Sequence, residues 1–222
     1  MMPGARQFME GGGASSARVW GVATDGVAYT ALSHVHQNTR SARVEMSFYL
    51  MPGFVYRNDL VRRNLFGCTT RDTDGILTNY NDNPSSWSCQ MYSAGGSVIF
   101  NNWVPWSDKI EHVMVADRSG TSLSFQADSR PGSAYVNRDM TLGRMGIFTQ
   151  NNYGAGNGVS PMPNRVPRNV AIVSFKYWDG GVLCADLTPA IHDGEACFYD
   201  SVNDEYLKNM AGSGSFSAVE EP

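Results

Sequence analysis

The chain has little charge. Asp, Glu, Lys and Arg together make up 17% of its 222 residues, with a net charge of −4. Lysine and arginine do not cluster, and the nearest approach is Arg62-Arg63. Neutralising phosphates takes a basic face, so nucleic acid is not an expected partner. No run of 18 apolar residues occurs, so no membrane span is expected. The opening residues, MMPGARQFMEGGGASSARV, lack the apolar stretch of a secretory signal, and from them export by that route is not expected. Cysteine is scarce. Cys68, Cys89, Cys184 and Cys197 form no CxxC or Cys/His spacing for zinc. They read as reduced thiols acting as small apolar groups, with a Cys184–Cys197 bridge left open. GxSxG, HExxH and the phosphate-binding loop are missing as well.

What is present points to strands. Hydrophobic residues make up 42% of the chain, with 23 Gly and 10 Pro. Residues 1–18 are Gly/Ser/Ala-rich and read as a flexible arm, and 19–222 as a single domain. Beyond the arm, apolar and polar residues alternate. In RVEMSFYL, Val44, Met46, Phe48 and Leu50 oppose Arg43, Glu45, Ser47 and Tyr49. In IEHVMVAD, Val113 and Val115 alternate with His112 and Met114, and in VAIVSFKYW, Ala171, Val173, Phe175 and Tyr177 share a face. Turn signals separate such runs: Asp74-Gly75, Gly95-Gly96, Ser119-Gly120, Pro131-Gly132, Asp179-Gly180-Gly181 and Asp193-Gly194. About a dozen short strands without an amphipathic helix predict an all-β fold, two antiparallel sheets packed face to face.

The late segment VSFKYWDGGVLCADLTPAIHDGEACFYDSVNDEYLKNMAGSGSFSA (173–218), with TRSARVEMSFYL (39–50), LFGC (65–68) and MGIFTQNN (145–152), resembles LamG-like, concanavalin A-like jelly-roll domains common in gut bacteria and their phages. The positions that carry the likeness include Trp178, Asp179, Gly180, Pro189, Tyr199, Asp200, Asn203, Tyr206, Gly212, Gly214 and Phe216. The resemblance implies a two-sheet jelly roll whose polar tail is a packed edge element. Tyr199 and Phe216 are then expected to insert beneath or beside the sheets. Asp200 is expected to bind backbone NH groups, and Tyr199→Ala to cost much thermal stability.

Hydrolases of this fold class need two or three carboxylates on one strand at i, i+2, i+4. Glu45 stands alone in its strand, Glu111 and Asp117 flank another, and Asp200, Asp204 and Glu205 lie in the tail. The expectation is therefore a non-enzyme. His34 and His36 read as exposed loop histidines rather than a metal pair, and no cofactor is expected. Asp72, Asp74, Asn81, Asp82 and Asn83 offer oxygen ligands for calcium but lack the full loop spacing.

Sugar binding by β-sandwiches uses aromatic faces and amide or carboxylate side chains. The candidate residues are Tyr80, Asn81 and Asp82; Asn101, Asn102, Trp103 and Trp106; and Asn151, Asn152 and Tyr153. The alternation places Trp87 in the core. Expected partners are a glycan or host-cell surface and, through the arm, other virion proteins. The expected role is a phage decoration or fibre protein on the virion, assembled in the host cytoplasm. The alternative is a carbohydrate-binding or adhesion domain of a gut bacterial surface protein.

Overall fold

The computed structural model describes residues 19–51, 62–68, 76–81, 88–93, 96–101, 110–140, 143–152, 158–162, 166–167 and 170–220. Every regular element among them is a strand, and every pairing of strands is antiparallel. Two sheets result. The larger runs in the order β10 (Arg130–Tyr135), β9 (Ser122–Ala127), β8 (Glu111–Ser119), β3 (Ser41–Leu50), β12 (Val170–Asp179), β13 (Val182–His192), β14 (Glu195–Asp200), β15 (Glu205–Leu207). Two short strands, β1 (Gly21–Thr24) and β16 (Phe216–Val219), join it through β12. The smaller sheet runs β2 (Thr30–Val35), β11 (Arg144–Ile147), β4 (Arg62–Cys68), β5 (Ile76–Asn81), β6 (Ser88–Ser93), β7 (Gly96–Asn101).

Alternation explains what lies between the sheets. Val44, Met46 and Phe48 of β3 are buried, as the sequence pattern requires. The ring of Phe66 from the small sheet meets Phe175 from the large one at 5.7 Å. In β8 the pattern runs opposite to a simple hydrophobicity reading. His112, Met114 and Ala116 face inward, while Val113 is exposed. His112 is tolerated inside because its Nδ1 reaches Asp128 at 2.9 Å. In β12 a bulge between Ile172 and Ser174 shifts the register. Phe175 and Tyr177 then face the core with Ile172, and Ala171 joins Ala23 and Tyr49 in a small second cluster with Trp20.

The turns obey left-handed backbone chemistry. His192 pairs with Glu195 across Asp193 (φ 54) and Gly194 (φ 78), a two-residue hairpin turn. Asp179 pairs with Val182 across Gly180 and Gly181 in the same way. Pro131-Gly132 is a correction: it lies inside β10 rather than in a turn. An edge strand accepts proline because one row of its NH groups has no ladder partner.

Candidate functional site

The small sheet gathers part of the predicted constellation. Asn81 of β5 pairs with Ser88 of β6, which pairs with Asn101 of β7, and Arg62 of β4 pairs with Asn81. The backbone pairing brings these four residues to matching register positions at one end of the sheet. Tyr80 sits one register position away, opposite Cys89. Asp82, Asn102, Trp103, Trp106 and Tyr153 lie outside the described residues, as do Asp72, Asp74, Asn83 and Trp87.

Asn151 and Asn152 are elsewhere. Asn151 bridges to Cys68, at the end of β4 opposite Arg62 and about 20 Å away at roughly 3.3 Å per residue. Its amide donates to the carbonyls of Arg144 (2.9 Å) and Gly158 (3.2 Å), and its Oδ1 accepts the Ser160 NH at 2.8 Å. The Gln150 amide donates to Asn152 Oδ1 at 2.6 Å, and Asn64 donates to Gln150 Oε1 at 3.1 Å. These amides tie residues 144–152 and 158–160 together and to β4. Phe148, buried at φ 60, gives that segment its turn.

A second cluster ties the sheets together. Asp179, at the end of β12, accepts the backbone NH groups of Gln37 (2.7 Å) and Asn38 (3.0 Å) and the Nε2 of His34 (3.0 Å). His36 is buried, not an exposed loop histidine. Its Nδ1 accepts the Tyr177 hydroxyl and its Nε2 donates to the Asn38 carbonyl, the neutral tautomer this network assigns. Burial pushes the His36 ring below the usual imidazole range, outweighing the nearby Asp179 charge. For Asp179, burial acts upward, but the Gln37 NH, His34, His36 and the Asn38 NH together hold the carboxyl below its ordinary value. Among the described residues, no group of three His, Cys, Asp or Glu side chains is arranged to hold a metal ion.

The outer face of the large sheet carries alternating charges. Arg43 on β3 holds Glu45 at 3.0 Å and Asp117 on β8 at 3.1 Å, and its guanidinium lies 5.7 Å from the Trp178 ring. Lys176 reaches Asp186 at 3.3 Å. Glu45 and Asp117 therefore share one cation, and Asp186 has its own.

At the β13–β14–β15 corner of that face lie three rings that sequence reasoning did not group. Tyr199 pairs with Tyr206 in register, so it faces outward beside it, whereas the neighbouring Phe198 points inward and is fully buried. The expectation that Tyr199 inserts under the sheets is thus corrected; alternation gives the inward place to Phe198. His192 stacks on Tyr206 at 3.9 Å and 12°, and Tyr199 meets Tyr206 at 5.1 Å. The Tyr199 hydroxyl donates to Asp204 at 2.8 Å. Lys208 and His192 both reach the Asp193 carboxylate, at 2.7 and 3.2 Å. The sequence signal was the Asp193-Gly194 turn, which fixes the register of both strands.

Cys197 lies opposite Ala190, six residues along β13 from Cys184. At roughly 3.3 Å per residue this separates the two by about 20 Å, beyond disulfide reach. Cys68, Cys184 and Cys197 are free thiols, and burial pushes Cys68 up to about 11, against the opposing Gly143 NH.

No family model matches the sequence, and no curated protein matches it. Among solved structures it is similar to a native heptameric SAP-like pentraxin from Limulus polyphemus. The TM-score is 0.53 at 12% identity, over 72% of this chain and 75% of that one. It is also similar to domains LG4-5 of the mouse laminin α1 chain, with a TM-score of 0.50 at 10% identity, over 82% of this chain and 48% of that one. At these identities the likeness is one of fold. Sheet order and likeness together make the chain an all-β two-sheet sandwich with the concanavalin A-like jelly-roll fold.

Proposed function

We infer that the chain is a non-catalytic binding module presenting a glycan- or host-surface-contacting face, used as a decoration or fibre protein of a phage virion. One observation carries the reading. On the outer face of the large sheet, Glu45 and Asp117 converge on Arg43, and Asp186 pairs with Lys176. Glycoside hydrolysis needs one carboxyl that holds a proton and another free to attack or to activate water. Glu45, Asp117 and Asp186 are each engaged in an ion pair, so these carboxylates act as salt bridges on the sheet face rather than as a free pair. The fold supports the reading by analogy, since it is shared with a pentraxin and with laminin LG domains. Free thiols at Cys68, Cys184 and Cys197 suit assembly in a reducing cytoplasm. Asn81 and Asn101, brought to one end of the small sheet by strand register, mark one candidate contact surface.

The alternative is a carbohydrate-binding or adhesion domain of a gut bacterial surface protein. Neighbouring genes separate the two, capsid and tail genes favouring the first and glycan-utilisation genes the second. A glycan array tests the shared claim: retention of at least one host-surface or mucin glycan is expected. Sustained release of reducing ends from a polysaccharide panel would overturn the non-catalytic reading.

A further inference from the structure

We propose that Tyr206, stacked on His192 and flanked by Tyr199, offers an aromatic stacking face to an uncharged pyranose, resting on the glycan-binding reading above. The three rings adjoin on the outward face of adjacent strands. Tyr206 is exposed and His192 and Tyr199 are half-buried. The apolar C–H face of a sugar ring gains dispersion and sheds water on such a surface.

The platform is held in place before any ligand arrives. Stacking against Tyr206 and the contact with Asp193 fix the His192 ring, and the hydroxyl bond to Asp204 fixes Tyr199. Ordering these side chains therefore costs little at binding. Polar groups stand at the rim. Asp204 accepts the Tyr199 hydroxyl and Asp193 lies against His192 and Lys208, so both carboxylates keep lone pairs for sugar hydroxyls.

Charge selects the class of sugar. From residue 170 onward the chain has two lysines, Lys176 and Lys208, and no arginine, against Asp193, Glu195, Asp204 and Glu205 near the corner alone. Lys208 is already committed to Asp193. A sialic acid, uronic acid or sulfated sugar would meet like charge without a free cation to receive it. The ligand class is a neutral hexose or N-acetylhexosamine.

The test is an array of neutral and anionic oligosaccharides read with the parent chain, Tyr206→Ala, Tyr206→Phe and Asn81→Ala/Asn101→Ala. The parent is expected to retain neutral glycans over sialylated or sulfated ones. Tyr206→Ala should lose about tenfold in affinity, and Tyr206→Phe should stay within about twofold. For the glycan retained best, titration into the parent should shift the ring resonances of His192, a readout that needs no variant to fold. Retention unchanged by Tyr206→Ala, unmoved His192 resonances, or a preference for anionic glycans overturns the proposal. If binding is instead lost in Asn81→Ala/Asn101→Ala alone, the glycan-binding reading stands and this site falls. If the parent retains no glycan, both fall.

Discussion

Asp179 shows how much one side chain holds. It receives two backbone NH groups and a histidine, and joins the end of β12 to the segment that follows β2. Its folded-state pKa is depressed, so its stabilising effect is present above the unfolded carboxyl range and is lost as pH falls through the folded value. His36 is depressed as well. The unfolded ring takes up a proton first, near pH 6.5, so the stability that His36 supports is present above that pH and declines as pH drops below it. Thermal unfolding followed from pH 8 to pH 3 should show two falls, an earlier one below about pH 6.5 and a later one in the carboxylate range. His36→Gln should remove the earlier fall; a profile identical to the parent's would contradict the assignment. Gly214 tests a second residue. It has φ 72, and a Cβ there would sit 2.8 Å from both Asp25 Oδ2 and Val27 Cβ. Gly214→Ala should cost about 1–3 kcal/mol, measured by denaturant unfolding. The Asp200 carboxylate was legible in sequence as a backbone binder, and it accepts the Asp186 and Val202 NH groups at 3.1 and 3.0 Å. The place of His36 was not legible, because burial of a histidine depends on Tyr177 and Asp179, partners about 140 residues away.

Strands of strong period-2 character were read within a few residues. The alternating runs RVEMSFYL, IEHVMVAD and VAIVSFKYW became β3, β8 and β12. Two kinds of element escaped. The bulge in β12 changes which residues face inward without leaving a mark in the pattern. The tail strands β14, β15 and β16 are short, and β14 has large side chains on both faces, so alternation carries no contrast there. The aromatic tail of the chain is divided by that alternation. Phe216 of β16 packs on Phe148 and Phe198, at 5.8 and 6.1 Å, while Tyr199 and Tyr206 go outward. Phe216→Ala should therefore destabilise by about 3–5 kcal/mol. Tyr199→Ala should cost far less, the loss of one outward aromatic contact and a surface hydrogen bond. Chemical denaturation of the two variants side by side checks the division; equal losses would contradict the outward placement of Tyr199.

The whole molecule divides labour between two sheets and their rims. Asn209 accepts the NH groups of Tyr29 and Ala211 and donates to the carbonyls of Ser213 and Gly214, so the tail is laced to the turn before β2. Asp25 takes the Ser215 NH from the other side. Class and sheet number followed from alternation and turn chemistry, which are local. The candidate contact surfaces depend on register between strands far apart in sequence. The predicted residues therefore separate: Asn81 and Asn101 fall at one end of the small sheet, and Asn151 at the other end of β4. On the function proposed above, this sandwich holds a sugar without breaking it. The direct measurement is mass spectrometry of the best-retained array glycan after prolonged incubation with the protein. The glycan should stay bound and unchanged in mass; shorter fragments accumulating over time would contradict the proposed function.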